Sequence, residues 1–379
     1  MEQIRARLFF IYNYRNIEIY LEGICKAIER LIQMPLKHRK PVWDETDLVL
    51  VTYGDQFLEK NHSGLYTLRK VYGRHFVELF EIVHLLPFYP SSSDDGFAVI
   101  DYKAVDPAIG DWEEVRQFSQ SARLMFDLVC NHVSAKSEWF LEYVKGNSVY
   151  QNYFIEADPA EDLSEVVRPR TSPLLTKFIL ANGEEKHLWT TFSEDQVDLN
   201  FAHPAVLAEI VDVLLFYLEQ GAEYLRLDAI GFIWKEIGTP CLHHEKTHQI
   251  IKLFREVIDR AAPGTLLLTE TNVPHQDNIS YFGNGHDEAH LVYQFPLPAL
   301  VLYSIHFENT RFLKEWANSL PKTAPETTFY NFLASHDGIG LNPVRGILPE
   351  EDIKEMAEQM KREGALISYK TNESGEAIP

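Results

Sequence analysis

From residue 47 onwards, short apolar runs alternate with longer amphipathic stretches, which is the pattern of a parallel α/β fold. The clearest unit is a helix over residues 204–221, which begins with proline, keeps one apolar face and ends at glycine. A buried strand over 224–227 follows it, and the same order recurs with a helical face over 250–258 and a strand over 265–269. Two successive repeats of this kind predict βα units.

Seven strands are predicted along the chain, each followed by polar residues. After Asp337 come a loop, a charged helical run over 350–362 and a polar tail, with no eighth apolar run. The predicted fold class is therefore α/β, a (β/α)8 TIM barrel whose eighth strand is not apparent. The predicted strands are Leu48–Tyr53, Ile82–Leu86, Leu124–Cys130, Tyr224–Leu227, Thr265–Thr269, Leu291–Tyr293 and Phe329–Ala334.

The chain is predicted to contain four regions. Apolar residues near the start recur at helical spacing until Pro35 and Pro41, which indicates a helical leader. After the third strand, about seventy residues separate two barrel elements, whereas a usual βα loop has about two to six. This stretch is therefore an inserted subdomain that would cover a site. The regions are the leader (1–44), the barrel (45–132 and 204–340), the inserted subdomain (133–203) and an incomplete loop and helix region with a tail (341–379).

Charge and cysteine content narrow the class of protein. Lys and Arg number 35 against 56 Asp and Glu, and the net charge of −21 argues against nucleic acid as a partner. The three cysteines have no CxxC spacing, so they build neither a disulfide framework nor a zinc site, and they fit a reducing cytoplasm. No secretory signal and no membrane-length apolar run is found. We expect a soluble cytoplasmic protein without a membrane partner.

Polar side chains, most of them ionisable, stand at or just past the ends of four predicted strands. In a parallel barrel these ends converge on one face, so three carboxylates from three strands would meet there. Glycoside cleavage needs a pair of carboxylates, one acting as nucleophile and one as acid/base. The structural alternative is that these carboxylates belong to a buried network of ion pairs. The residues are Asp127, Asn131 and His132 after the third strand, Arg226 and Asp228 at the fourth, Glu270 at the fifth, and His336 and Asp337 at the seventh.

Other polar residues have structural interpretations. Asp106 and Asp111 stand around a proline and a glycine, which is typical of a turn and of a helix start. Asp198 follows an apolar valine and could equally hold Arg226 or a loop. Isolated histidines such as His248 are interpreted as surface or core groups.

Five segments match, in order, the conserved regions of the α-amylase family of glycoside hydrolases. They are DLVCNH (127–132), QVDLNF (196–201), LRLDA (225–229), LLTETN (267–272) and ASHDGIG (334–340). The chain therefore resembles this family, known as family 13, over roughly residues 47–365. The resemblance implies a TIM barrel with a subdomain inserted after the third strand.

Further segments resemble one branch of that family. HDGIG, LLPFYPSSSDDGF (85–97) and RPR (168–170) are similar to the sucrose phosphorylase branch. ETNVPHQDNISYFGNG (270–285) and DAIGFIWKEIGT (228–239) are similar to members that act on glucosylglycerate. Family members continue into an eighth strand and a C-terminal β domain, so the resemblance implies that a chain ending at Pro379 is truncated.

The resemblance assigns roles to the three carboxylates. Asp228 matches the nucleophile that forms a covalent glucosyl-enzyme, Glu270 the acid/base, and Asp337 the group that stabilises the transition state. Arg226 stands two residues before the nucleophile, on the same face of the strand, and is expected to keep Asp228 ionised by charge pairing.

The remaining site residues follow from the same matches. His132 and His336 match hydrogen-bond donors to the glucose hydroxyls, and Asp94 matches the carboxylate at the far edge of the sugar. Phe97 matches the face on which the sugar stacks, and Gln196 would line the acceptor side. Phosphate needs a local positive charge in an acidic protein, and we expect Arg170 in the inserted subdomain to supply it.

The implied activity is that of a retaining α-glucoside phosphorylase, a glycosyltransferase of carbohydrate metabolism. It would cleave a small α-glucoside with inorganic phosphate, through a covalent glucosyl-enzyme, to give α-glucose 1-phosphate. An α-glucosidase or transglucosidase on the same scaffold, or an inactive truncated relative, is the alternative. No cofactor is expected. We also expect no metal, because Asn131, a calcium ligand in many amylases, has no obvious set of partner ligands.

The acceptor is the least defined part of this prediction. Sucrose-specific members tend to have Tyr where Phe232 stands and His where Asn272 stands, which disfavours fructose as the leaving group. Glucosylglycerate is the first choice, and sucrose and sucrose phosphate remain open.

Overall fold

The computed structural model describes residues 1–13, 17–34, 43–371 and 377–379. The chain divides into two compact units, one made of residues 1–270 with 287–289 and the other of 271–286 with 290–379. Pro35 and Pro41, the predicted end of the helical leader, lie outside the described residues. The boundaries of the four predicted regions stay predictions.

The strands of the first unit are β1 (Val49–Thr52), β2 (Ile82–Leu85), β3 (Arg123–Val129), β4 (His132–Ser134), β5 (Leu175–Ile179), β6 (Glu185–Trp189), β7 (Gln196–Asp198), β8 (Ala222–Asp228) and β9 (Leu266–Thr269). Five of them form a parallel sheet in the order β1, β2, β3, β8 and β9. Its helices are α1 (Glu2–Tyr12), α2 (Glu18–Ile32), α3 (Gly64–His75), α4 (Trp112–Ser119), α5 (Glu138–Val144), α6 (Pro204–Glu219) and α7 (Glu245–Ala261).

Local sequence explains where the helices of this unit begin. Ser63 accepts a hydrogen bond from the Tyr66 N–H at 3.2 Å and caps α3. Asp111 and Glu114 form a reciprocal capping box at α4, as the helix-start interpretation of Asp111 predicts. Pro204 occupies the first turn of α6, where its missing N–H leaves no intrahelical partner unsatisfied.

An aromatic cluster packs between the sheet and the helices behind it. Tyr89 and Tyr217 stack with ring centroids 5.1 Å apart, and Phe88 meets Phe126 edge-on at 5.1 Å. All four side chains are fully buried. Because burying one large apolar side chain contributes about 1.5–3 kcal/mol, this cluster is a main source of stability beneath β3 and α6.

The stretch after β3 returns to its starting point. β4 pairs antiparallel with β7, which sets His132 opposite Asp198 and Ser134 opposite Gln196. Between them lie α5 and the antiparallel hairpin of β5 and β6. Residues 132 and 198 are therefore neighbours in the structure although they are far apart in the sequence. The pairing of β4 with β7 brings the two ends of the inserted stretch together beside the end of β3.

The second unit has its own core around Leu300, Trp316, Ile353 and Met356. β10 and β11 pair in parallel, and β12 and β13 form a short antiparallel pair. Within the described part of the chain after Tyr330, this short pair is the only further strand structure. The elements are α8 (His275–Ile279), β10 (Leu291–Tyr293), α9 (Pro296–His306), α10 (Arg311–Ser319), β11 (Thr328–Tyr330), α11 (Glu350–Arg362), β12 (Lys370–Thr371) and β13 (Ala377–Ile378).

The predicted strands are all found, Leu291–Tyr293 with the predicted bounds and the others with ends shifted. The strand predicted over 224–227 extends to Ala222–Asp228, whereas the one predicted over 329–334 ends at Tyr330. The charged run over 350–362 is a helix with those bounds, and its inner side buries Ile353 and Met356. Among the described residues, no helix combines the length and the apolar character needed to cross a bilayer.

Candidate active site

Strand register places the first functional groups side by side. β3 and β8 pair so that Asp127 stands beside Arg226 and Val129 beside Asp228. β9 follows on the other side of β8, and the Glu270 N–H donates to the Leu227 carbonyl at 3.1 Å. Asp228 and Glu270 thus leave the carboxyl ends of adjacent parallel strands, where barrel enzymes carry their catalytic groups.

One buried guanidinium connects these carboxylates. Arg226 Nη1 donates to Asp228 Oδ1 at 2.8 Å and to Asp127 Oδ1 at 2.6 Å. Arg226 Nη2 lies 4.0 Å from Glu270 Oε2, and Glu270 also accepts the Ala229 N–H at 3.0 Å. The predicted nucleophile and the predicted acid/base therefore share one cationic partner.

Burial and charge act in opposite directions on Asp228. Burial raises the pKa of its carboxyl group, and Arg226 and then His132 oppose that rise, while the Asp127 carboxylate adds to it. The net pKa direction is upward. The predicted pairing of Arg226 with Asp228 is present at 2.8 Å and partly offsets the effect of burial. That this pairing keeps Asp228 ionised stays a prediction.

Asp127 has a different place from the one expected of a reactive strand-end group. It is fully buried, and besides Arg226 it contacts His84, whose Nε2 lies 2.8 Å from Oδ2. Asp127 therefore positions Arg226 through their hydrogen bond. His84 was missed at the sequence level, although a histidine inside the apolar run of β2 is a signal for such a buried polar contact.

Four predicted substrate-binding residues form one group, and one of them, Phe97, contacts Arg226. His132 Nε2 is 3.1 Å from the Phe97 carbonyl oxygen and 3.1 Å from Gln196 Nε2. Gln196 Nε2 also donates to Asp94 Oδ2 at 2.9 Å. The Phe97 ring faces the Arg226 guanidinium at 5.6 Å. Gln196, expected on the acceptor side, contacts both glucose-side residues Asp94 and His132.

Burial also determines the charge of His132. It lowers the pKa of the imidazole, while Asp228 and Asp198 raise it and Lys235 lowers it further. The net direction is downward, so His132 is neutral at neutral pH and carries one ring N–H. That N–H lies on Nε2, because the Phe97 carbonyl oxygen 3.1 Å away can only accept a hydrogen bond.

Lys235 contacts Asn131, the residue for which the sequence showed no set of metal ligands. Lys235 Nζ lies 2.6 Å from Asn131 Oδ1 and 2.6 Å from Asp198 Oδ2. Asp198 also accepts the Thr191 N–H at 2.9 Å, so it holds a loop, which is one of the two structural roles weighed for it. The Lys235 ammonium therefore pairs with the Asn131 carbonyl oxygen, and the absence of a metal at Asn131 stays a prediction.

Two apolar rings stand next to His132. The Phe192 ring centroid is 5.3 Å from the His132 ring and 5.6 Å from the Phe232 ring, which it meets edge-on. Phe232 belongs to the turn just after Asp228, so an apolar wall begins immediately beyond the nucleophile.

The remaining predicted site residues are His336, Asp337 and Arg170. His336 and Asp337 belong to the second unit, with His336 Nε2 3.4 Å from Asp337 Oδ2 and the Asp337 side chain 65 % exposed. Asn272 lies beside Gly340 in that unit, where an added Cβ would come within 2.9 Å of the amide. Arg170 is exposed on the loop before β5. That Asp337, His336 and Arg170 contact the substrate stays a prediction.

Residues 79–370 match the model of the α-amylase catalytic domain. The chain belongs to the α-amylase family. It is 52 % identical over 378 residues to a glucosylglycerate phosphorylase of Escherichia coli (strain K12), a match that covers 100 % of the chain and 68 % of that relative. It is 53 % identical to a glucosylglycerate phosphorylase of Spirochaeta thermophila, covering 99 % of the chain and 65 % of that relative.

A solved structure of another protein is similar to this chain. The sucrose 6F-phosphate phosphorylase of Thermoanaerobacter thermosaccharolyticum matches with a TM-score of 0.78 at 27 % identity, covering 89 % of this chain and 69 % of that one. The expected family, its phosphorylase branch and the fold class are confirmed. The chain spans about two thirds of the length of the relatives it matches.

Proposed function

We propose that this family member is a retaining α-glucoside phosphorylase that cleaves glucosylglycerate with inorganic phosphate and releases α-glucose 1-phosphate. The contact of Arg226 with Asp228 at 2.8 Å and its approach to Glu270 at 4.0 Å carry this proposal. Glycoside cleavage with retention needs two neighbouring carboxylates. Glucosylglycerate is proposed as the substrate because two relatives at about half identity are glucosylglycerate phosphorylases.

The reaction runs through two displacements at the anomeric carbon. Glu270 gives its proton to the leaving oxygen while Asp228 attacks, so the bond to glycerate breaks and a glucosyl ester of Asp228 forms. An oxygen of hydrogen phosphate then attacks the same carbon, the ester bond to Asp228 breaks, and the proton of the phosphate passes to Glu270, which returns to its starting state. Two inversions restore the α configuration. Arg226 favours the ionised nucleophile at the start of each cycle.

Glucose recognition falls to the cluster beside Arg226. His132 offers a neutral N–H, and Asp94 offers carboxylate oxygens that accept from sugar hydroxyls. Phe97 presents an aromatic face. In this proposal His336 donates to a glucose hydroxyl, and Asp337 stabilises the positive charge that develops in the transition state.

The acceptor and phosphate side is the less polar part of the site. Phe192 and Phe232 line it with aromatic rings next to His132. An acidic chain with net charge −21 needs a local cation to hold phosphate, and Arg170 on the inserted stretch has that charge. The same net charge supports a partner set without nucleic acid.

The proposed enzyme needs neither metal nor cofactor and works in the cytoplasm. The Lys235 ammonium supports the first point, since it contacts Asn131 and Asp198 as a cation would. Three free cysteines support the second, because a reducing compartment keeps thiols unpaired.

The decisive experiment compares turnover of glucosylglycerate with and without phosphate. Glucose 1-phosphate should form only with phosphate, and sucrose, sucrose phosphate and glucosylglycerol should react more slowly. Asp228→Asn and Glu270→Gln should abolish the reaction, whereas Asp106→Asn, at a turn, should not. Glucose release at one rate regardless of phosphate would instead identify an α-glucosidase, and oligosaccharide products a transglucosidase.

A further inference from the structure

A single carboxylate outside the catalytic pair gathers three hydroxyl groups. Ser92 Oγ and Ser93 Oγ each donate to Asp195 Oδ2 at 2.5 Å, and Ser134 Oγ donates to Asp195 Oδ1 at 3.4 Å. Ser92 Oγ and Ser134 Oγ also lie 2.5 Å apart. Asp195 therefore joins the loop after β2 to β4, and it stands directly before Gln196 at the start of β7.

The loop that Asp195 holds has an unfavourable backbone. Asp94 and Asp95 adopt φ of 53° and 47°, in the left-handed region that glycine favours, and Gly96 follows with φ of 106°. A Cβ on Gly96 would come within 2.7 Å of the Pro87 carbonyl oxygen. Such backbones persist only where the surroundings impose them. Two of the serines anchored by Asp195 come immediately before this turn.

The same loop carries two of the proposed glucose contacts and touches a third, His132. Asp94 lies on it and accepts from Gln196 Nε2 at 2.9 Å. Phe97 ends it, and the Phe97 carbonyl oxygen lies 3.1 Å from His132 Nε2. A shift of the loop would therefore move a carboxylate and an aromatic ring and would remove a partner of the imidazole.

We propose that Asp195 is a positioning residue of the glucose subsite. It acts through Ser92 and Ser93 and fixes the turn at Asp94 so that Asp94 and Phe97 meet the bound glucosyl group. This role also explains the serine run in the segment PSSSDDGF, which the catalytic assignments leave unused. The kinetic part of the proposal rests on the proposed phosphorolysis.

The test replaces Asp195 by Asn and uses Glu194→Gln, an exposed acidic neighbour, as the matched control. Asp195→Asn should raise KM about tenfold for both glucosylglycerate and glucose 1-phosphate, which share the glucosyl group, as expected for a lost charge-assisted hydrogen bond. KM for phosphate and for glycerate should stay within twofold of the parent protein. A purely structural role would not separate the two groups of substrates.

A double variant, Ser92→Ala with Ser93→Ala, keeps the test open if Asp195→Asn does not fold. It should reproduce the KM pattern, and combining it with Asp195→Asn should add little, because both changes remove the same hydrogen bonds. Equal KM changes for all four substrates, or none, would overturn the proposal.

Hydrogen exchange separates this proposal from the proposed function. Without any substrate, Asp195→Asn should speed exchange at the loop amides of Ser92 and Phe97, which donate to Ala98 O and Asp94 O at 3.1 and 2.9 Å. Glu194→Gln should not. If the parent chain turns over no α-glucoside, the phosphorylase assignment fails while faster loop exchange still supports Asp195, and unchanged exchange rejects its role.

Discussion

The backbone N–H of Ala229 donates to Oε2 of Glu270 at 3.0 Å, and Ala229 reaches this contact with a left-handed φ of 47°. Ala229 directly follows Asp228 at the end of β8. The turn that ends the nucleophile's strand thus also orients the acid/base on the next strand. A strained, non-glycine backbone position next to reacting groups is a common feature of active sites.

This geometry predicts that Ala229→Gly stabilises the protein. Left-handed alanine costs about 1–2 kcal/mol, and the added freedom of glycine in the unfolded chain returns about half of that. The free energy of unfolding should rise by roughly 0.5 kcal/mol in urea denaturation. Ala222→Gly at the start of β8, where φ is negative, should lower it by about 0.5–1 kcal/mol. Equal losses in both variants would contradict the strain.

Removal of Arg226 should shift the pH dependence of activity. Burial raises the pKa of Asp228 and Arg226 opposes the rise, so Arg226→Gln lets this pKa rise further. Asp228 attacks as an anion, active above its pKa, so the acid limb of kcat/KM against pH moves to higher pH, by about one unit or more. Arg226→Lys should give a smaller shift, because it keeps the charge without the fork.

Arg123 offers a matched control for this experiment. It is also buried and also bridges two carboxylates, with Nη1 3.0 Å from Asp47 Oδ1 and Nε 2.9 Å from Glu223 Oε2, but it lies at the opposite end of β3. Arg123→Gln should lower stability by about 3–5 kcal/mol, as a broken buried ion pair does. Its acid limb should stay in place. A shift as large as that of Arg226→Gln would show that net charge alone is responsible.

The sequence pattern predicts the strands and the residues at their ends, because alternating burial and turn chemistry are local properties of a chain. Asp228 and Glu270 were placed in this way, and the register of β3, β8 and β9 brings them to one guanidinium. Contacts between distant side chains are not local. Lys235 beside Asp198 and Ser92 beside Asp195 depend on how the stretch after β3 folds back on itself.

Lys235 predicts that chelators leave the activity unchanged. Its ammonium group already contacts Asn131 Oδ1 and Asp198 Oδ2, both at 2.6 Å, so a divalent ion at that position would meet a positive charge. Turnover should be equal with and without a chelator. Lys235→Met should lower the free energy of unfolding by about 3–5 kcal/mol, since it leaves the buried Asp198 carboxylate unpaired. Loss of activity on chelation, restored by calcium, would refute the prediction.

The neutral state of His132 predicts lower stability in mild acid. Burial lowers the pKa of this imidazole in the folded protein, whereas an unfolded histidine titrates near about 6.5. As pH falls through that value the unfolded chain takes up a proton that the folded protein refuses, so stability declines by up to about 1.4 kcal/mol per pH unit. The charged groups that act on the ring are Asp228 and Asp198, which favour its protonation, and Lys235, which disfavours it.

His132→Gln should therefore show a shallower decline of the unfolding free energy between pH 7 and 5, measured by urea titration. His203→Gln provides a comparison, because burial lowers the pKa of His203 as well, and His203 has no role in the proposed reaction. An identical pH slope in the parent protein and in His132→Gln would mean that the folded protein protonates this imidazole as readily as the unfolded chain does, which would contradict the prediction.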